Sequence, residues 1–305
     1  MNLKRLFAVL ASLALLAWFV SAGQWSALGA LLRETPLSAL AIAAAGFAFS
    51  YLLRALRVWD EFRHDASGRF GACLRIVLVH NAMVNIVPFR GGEAAFPILL
   101  ARNFGTPLGR AVASLLWFRL QDAFVVMALA LGVWPGLPVW LRIAGVLAVG
   151  ITAFGLPRWA RRDHLWHEGG PWQARLGRLR NAFADSTRHA RFGWLWTIAN
   201  WSVKLAAQAW LLSVLLGASV MLGAAGALGA ELAAILPVQG VAGFGTYEAG
   251  AAAALLPNGV DFETGLQVAL ALHLFVIACS CGAGALAWLA GLGMPSAPKQ
   301  GIDRQ

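Results

Sequence analysis

The sequence predicts an all-α polytopic membrane protein, with about six full transmembrane helices and two re-entrant broken-helix hairpins in an inverted-topology repeat. Three observations predict it. Apolar residues make up 59% of the 305-residue chain and charged residues 12%, about half of the roughly 25% usual in soluble proteins, and the mean hydropathy is +0.68. Long apolar runs recur from end to end, with arginines gathered at particular connections between them, the asymmetry that orients membrane helices. Two of these runs are interrupted by Pro and Gly in matching places of the two halves, "NIVPFRGGEA" and "AILPVQGVAGFGTYEA". Each break is followed by Glu and Ala, which points to a substrate site built from discontinuous helices.

Each element follows from these rules. Lys4 and Arg5 precede the apolar run Leu6 to Val20, and "VSA" at Val20 to Ala22 resembles a signal-peptidase site; a retained anchor is the simpler assignment. The span Pro36 to Leu53 is followed by Arg54, Arg57, Arg63 and Arg69, which places that flank inside the cell. Phe70 to Val87 and Gly92 to Phe104 form the first broken pair, with structural breaks at Pro88, Gly91 and Gly92. Arg102 and Arg110 follow it, so this hairpin enters from the cytoplasm and returns there. Ala111 to Val133 crosses outward, "WPGLP" (Trp134 to Pro138) makes a tight external turn, and Val139 to Leu156 returns. Arg142 is the one residue against the rule.

The segment Pro157 to Arg191 then carries eight arginines: Arg158, Arg161, Arg162, Arg175, Arg178, Arg180, Arg188 and Arg191. It reads as a basic cytoplasmic loop, placed to meet anionic lipid headgroups rather than nucleic acid. Phe192 to Gly217 crosses outward. Val220 to Leu236 and Thr246 to Leu256 form the second broken pair, with breaks at Pro237, Gly240, Gly243 and Gly245. Its flanks lack Lys and Arg, so it enters from outside, and Thr264 to Leu292 leads to a short tail with Lys299 and Arg304. One transmembrane domain results, residues 1–305, with a first repeat at 36–133, the basic loop at 157–191 and an inverted second repeat at 192–292. Opposite entry sides let the halves meet at the bilayer midplane. Trp18, Trp25, Trp134, Trp140, Trp159, Trp194 and Trp196 stand near span ends, as an aromatic belt does.

A charged side chain at bilayer depth costs roughly 2.5–3.5 kcal/mol, so each calls for a partner or a purpose. Arg90 and Glu93 flank Gly91 and Gly92, and the resumed helix offers free N–H groups to an anion; capping its own helix is the plainer role for Glu93. Glu248 stands in the same place after the second break. The two glutamates are expected to project toward one shared cavity. Arg119 and Asp122 share a helix face at i, i+3, either as an intrahelical ion pair or as ligands. Asn200, Lys204 and Gln208 form an i, i+4, i+8 stripe whose counter-ion is Glu231 or Glu248. His80, Asn81 and Asn85 form a weaker patch, and His273 reads as a packed, hydrogen-bonded core residue. The substrate-binding candidates are therefore Arg90, Glu93, Arg119, Asp122, Lys204 and Glu248. Cys73, Cys279 and Cys281 fit neither a disulfide framework nor zinc spacing, and no metal or cofactor is expected.

At "VNIVPFRGGEAAFPILLARNFGTPLGRAVASLLWFRLQD" and "AAILPVQGVAGFGTYEAG" the chain resembles the transmembrane-domain family of lysylphosphatidylglycerol synthases and flippases. The resemblance runs from about Tyr51 to Leu292. Arg54 and Arg57 before Trp59 carry it, with Pro88, Arg90, Gly92, Glu93, Arg119, Asp122, Pro237, Gly243, Gly245 and Glu248. Family members commonly carry Glu where Phe118 stands here, so details of ion coupling do not transfer. The resemblance implies a lipid-translocating membrane domain. Two-domain relatives append a soluble aminoacyltransferase, which the dozen residues after the last span do not supply, so a separate lipid-modifying enzyme is an expected partner.

The function expected is a lipid flippase or transporter of the bacterial cytoplasmic (inner) membrane, with both termini cytoplasmic. Arg90, Arg119 and Lys204 would meet phosphate, and Glu93 and Glu248 a cationic headgroup or protons. An intramembrane enzyme or an accessory scaffold for lipid or polyprenol-linked biosynthesis is the alternative. Against the enzyme, the sequence holds no Asp-rich metal motif, membrane-depth His cluster or Ser/His/Asp ordering.

Overall fold

A computed structural model describes residues 24–87, 91–134, 136–162, 170–235 and 241–291. Among these, all regular structure is helical: α1 (Gln24–Glu34), α2 (Leu37–Glu61), the single turn α3 (Arg63–Ala66), α4 (Phe70–Ile86), α5 (Ala95–Phe104), α6 (Leu108–Val133), α7 (Val139–Ala160), α8 (Pro171–Ser186), α9 (Gly193–Leu216), α10 (Val220–Ile235), α11 (Thr246–Leu255) and α12 (Phe262–Leu289). Short 3-10 turns at Gly91–Ala94 and Val241–Gly243 lead into α5 and α11. The expected first span, Leu6 to Val20, and the tail with Lys299 and Arg304 lie outside the described residues, as do Pro88, Arg90, Pro237 and Gly240.

Among the described residues α2, α6, α7 and α12 are long and apolar enough to cross a membrane. A fifth candidate is α9 taken with α10, two helices bent by 117° at their junction. Helix α9 has the length by itself, 24 residues or about 36 Å at 1.5 Å per residue. Its Trp, Asn200, Lys204 and Gln208 side chains lower its hydropathy. The molecule is thus a multi-pass membrane protein, with four or five such spans by length and composition among the described residues; of the six expected, the one at Leu6 to Val20 lies outside them.

The helix lengths repeat. The first half runs 25, 17, 4, 10 and 26 residues from α2 through α4, the Gly91–Ala94 turn and α5 to α6. The second runs 24, 16, 3, 10 and 28 from α9 through α10, the Val241–Gly243 turn and α11 to α12. Hairpin arms of about 25 and 15 Å are each shorter than the roughly 30 Å of hydrocarbon. Packing repeats too: α2 lies on α9, α4 on α12 and α10 on α6. The longer arm of each hairpin therefore rests against the last helix of the opposite half.

Small residues permit these crossings, since in lipid the helices associate by close packing rather than by apolar burial. A Cβ on Gly46 would sit 2.7 Å from Ala207 Cβ between α2 and α9, and one on Gly284 would sit 2.4 Å from Ala82 Cβ between α12 and α4. Within the second hairpin Gly229 and Gly250 face each other's backbone: a Cβ on either would lie 2.4 or 2.5 Å from the other's carbonyl oxygen.

The described parts of the basic segment 157–191 are largely helical. Helix α7 runs through Pro157 to Ala160, and α8 covers Pro171–Ser186 and packs on α6, with Phe183 edge-on to Trp117 at 5.5 Å. The chain then reaches α9 under the control of Asp60 at the end of α2, whose carboxylate accepts from the N–H groups of Arg191 (3.1 Å) and Phe192 (2.7 Å). The Phe192 N–H belongs to the N-cap of α9, one of the groups that a helix start leaves free. Beside it, Arg110 meets Asp65 at 2.8 Å, and His189 Nδ1 stands 3.6 Å from Glu61 Oε1. Burial, with the charge of Arg110 acting in the same sense, pushes the His189 imidazole down from its ordinary value, so it stays neutral at pH 7. Arg142, against the charge rule, serves its own turn: it donates to the carbonyls of Gly132, Trp134 and Leu137, closing the end of α6.

Candidate functional site

The charge rule ends the span that begins at Pro36 at Leu53 and makes Arg54 and Arg57 its cytoplasmic flank. The helix instead continues to Glu61, which carries both arginines into the protein, where they line a pocket between α2, α4, α5 and α6. His80, Asn81, Phe96, Phe118, Arg119 and Asp122 complete its polar and aromatic wall. The pocket is small, about 30 Å³, the room of one or two water molecules.

Asp122 braces this wall from behind. Its Oδ1 accepts from Arg57 Nη1 at 2.6 Å and from Trp201 Nε1 at 2.9 Å. Arg57 Nη2 also reaches the Phe118 carbonyl at 2.8 Å and Gln121 Oε1 at 2.9 Å, and its guanidinium lies over the Phe118 ring at 4.1 Å. With both side chains nearly inaccessible, 2% and 6% exposed, this pair is a structural support. The intrahelical contact expected for Arg119 and Asp122 is present but long, 3.8 Å.

The front of the wall is more open. Arg119 Nη2 meets Glu93 Oε1 at 2.6 Å, with 36% and 23% of the two side chains exposed. Glu93 Oε2 lies 3.6 Å from His80 Nε2. Arg54 Nη1 donates to Asn81 Oδ1 at 2.9 Å, and its Nη2 stands 3.8 Å from Asp122. Gly92 makes this convergence possible: a Cβ there would be 2.1 Å from the Met83 carbonyl oxygen, so the break folds flat against the end of α4. Among the described residues the arginine partner of Glu93 is Arg119.

A second cluster stands in the other half. Lys204 meets Glu231 at 2.7 Å, which settles between the two expected counter-ions. Gln208 Nε2 donates to Glu231 Oε1 at 2.7 Å and to the Tyr247 hydroxyl at 3.0 Å. Glu248, fully buried, accepts from the Gly245 N–H at 2.7 Å, capping α11, and its other oxygen lies 2.6 Å from His273 Nδ1. Gly245 and Gly243 hold φ of 86° and 88°, the left-handed region that glycine tolerates, which turns the chain into α11. Trp201 joins the clusters, with Lys204 Nζ 4.5 Å above its ring and its N–H on Asp122.

The structure therefore brings Glu93, Arg119 and Asp122 together and places Lys204 next to them through Trp201. Among the described residues Glu93 and Glu248 have no partner in common. Each is held within its own half, Glu93 by Arg119 and Glu248 by His273, and among the described residues neither glutamate is part of the pocket lining. Of the weaker patch, His80 and Asn81 reach the pocket, while Asn85 turns to Ser280 at 2.8 Å. Sequence reasoning missed Arg54 and Arg57 as site residues. Their i, i+3 spacing at the end of an apolar run was the available signal.

No curated protein and no solved structure matches the chain. A family model described as the lysylphosphatidylglycerol synthase TM region does match, over residues 5–283. That match takes in both broken hairpins and every charged residue of the two clusters, and the chain belongs to the lysylphosphatidylglycerol synthase transmembrane-region family.

Proposed function

We propose that this chain, whose family gives it a membrane lipid-related role, is a flippase or transporter that carries a phosphate-bearing polar lipid headgroup across the cytoplasmic membrane, with the acyl chains left in the hydrocarbon. One observation supports this reading above the others: three guanidinium groups (Arg54, Arg57, Arg119) line a single pocket with one carboxylate (Asp122), and a second carboxylate, Glu93, reaches the cluster through Arg119. The described charges sum to one positive, at a depth where an unpaired ion costs roughly 2.5–3.5 kcal/mol. A phosphodiester carries one negative charge and cancels it. Arg54 and Arg119, the two partly exposed arginines, supply the fork geometry that phosphate oxygens accept. Among the described residues the Nε of Arg57, the Nε of Arg119 and the Nδ2 of Asn81 are buried donors without a protein acceptor.

The repeated helix lengths support alternating access by two inverted halves. The arginines of the 157–191 segment support a cytoplasmic position for it, against anionic headgroups, with both termini on the same side and a separate enzyme modifying the lipid. Lipids retained by the purified protein, identified by mass spectrometry, test the substrate. An enriched anionic phospholipid class that is lost in Arg119→Gln is the expected result. Retention of bulk membrane lipid in unchanged proportion by both proteins would sink the assignment.

A further inference from the structure

The two halves hold corresponding pairs of a carboxylate and a nitrogen base in two different conditions. Arg119 and His273 are each the twelfth residue of the last helix of their half, and each meets the Glu that follows the break, Glu93 or Glu248, at 2.6 Å. Asn81 and Glu231 are likewise each the twelfth residue of the longer hairpin arm, and each accepts from a cation of the half's first long helix, Arg54 at 2.9 Å or Lys204 at 2.7 Å. The second half thus repeats the wiring of the pocket. Its Glu248–His273 pair is closed, with side chains 0% and 5% exposed, while Glu93–Arg119 is open at 23% and 36%.

We infer that Glu248–His273 is a proton-binding site whose loading and release are coupled to the movement of lipid through the opposite half; this rests on the lipid-transport reading. At 2.6 Å one proton must lie between Nδ1 and Oε1, since two lone pairs would repel. A second proton, on Nε2, decides the charge. Without it the second-half cluster of Lys204, Glu231, Glu248 and His273 carries one net negative charge, and with it none. Histidine is the side chain whose ordinary titration falls between pH 5 and 8, whereas the arginine in the matching place never loses its proton. Each half therefore reaches neutrality with one ligand: the first with a lipid phosphate, the second with a proton. Burial of a net charge is costly, so the second half closes loaded, and the opening that exposes the pair to the other side releases the proton there.

The surroundings confine the second proton to this pair. Glu231 of α10 is held by Lys204 and Gln208 of α9. Tyr247 stacks on the His273 ring at 4.3 Å and Phe244 lies at 4.8 Å. Helix α4 carries Arg75 and His80, the latter beside Glu93, and it meets α12 through uncharged Leu78, Ala82 and Asn85. Helix α1 brings Arg33 and Glu34, both exposed, and Glu263 at the start of α12 is exposed as well. The edge of His273 with Cε1 and Nε2 faces Gly243 of the break, where a Cβ would lie 3.4 and 3.6 Å away.

The test uses the full chain in phosphatidylcholine vesicles containing a fluorescent phosphatidylglycerol, with potassium and valinomycin holding the membrane potential at zero. A two-unit pH gradient should shift the steady-state leaflet ratio of the probe by up to about 100-fold for one proton per lipid, since each pH unit is tenfold. Glu248→Gln keeps size and the helix cap but removes the variable charge. It should move the probe downhill and ignore the gradient. Should that variant not accumulate, His273→Arg installs in the second half the fixed pair of the first and carries the same expectation. A wild type that moves the probe to the same ratio with and without the gradient overturns the coupling alone, as does a variant that answers the gradient like the wild type. A wild type that moves no probe under any condition overturns lipid transport, and the coupling with it.

Discussion

Breaking the buried brace of the pocket gives the sharpest test of which contacts hold the first half together. Asp122→Asn removes a carboxylate from between Arg57 at 2.6 Å, Arg54 at 3.8 Å and Arg119 at 3.8 Å. The described pocket charge rises from one positive to two. Stranding a buried partner costs about 3–5 kcal/mol, which for a chain of this size lowers the melting temperature by roughly 5–8 °C. Arg57→Gln strands Asp122 instead, yet leaves the pocket neutral and Trp201 still donating, so its cost falls at the lower end of that range. The double variant Arg57→Gln/Asp122→Asn returns the count to one positive with no member of the pair unpaired, and should recover most of the loss. Arg119→Gln/Asp122→Asn restores the same net charge but separates both close pairs, leaving Arg57 and Glu93 alone. It should be no more stable than Asp122→Asn. Thermal unfolding in detergent, followed by tryptophan fluorescence, reads all four. Additive losses in the first double variant would refute the pairing, and equal recovery in both would show that net charge alone matters.

Three further outcomes follow from single contacts. Asp60→Ala leaves the Arg191 and Phe192 N–H groups uncapped, at a cost of about 1–2 kcal/mol, and should expose the stretch 187–192 to limited proteolysis; unchanged cleavage would show that another acceptor takes over. Gly223→Ala drives a Cβ to 2.2 Å from the Ala209 carbonyl oxygen, whereas Gly150→Ala meets nothing within 4 Å, so the first should fail to accumulate and the second should match wild type by in-gel fluorescence of a tagged protein. Cysteines at Gln173 and Gly259, in a chain whose Cys73, Cys279 and Cys281 are replaced by Ala, test sidedness: an impermeant maleimide on intact cells should label only the Gly259 position, and labelling at Gln173 would invert the topology.

The membrane class, the two hairpins and their breaks were legible in the chain because they rest on local rules. An apolar run of span length, and a Pro or Gly that interrupts it, act through backbone hydrogen bonding and hydration within a few residues. The i, i+3 and i+4 spacings of Arg119 with Asp122, and of Asn200, Lys204 and Gln208, were legible for the same reason. The partners were not. Asp122 meets Arg57 across 65 residues, Glu93 meets Arg119 across 26 and Glu248 meets His273 across 25; which ions pair depends on how helices cross, and that depends on where glycines let backbones approach. Arg54 and Arg57 show the limit most clearly. The same two arginines satisfy a flank rule in one dimension, while in three the helix runs on past them and turns them inward against Asn81 and Asp122. The correspondence of Arg119 with His273 was equally hidden, because it lies in helix register and pairing geometry, and the two residue types share only a capacity for positive charge.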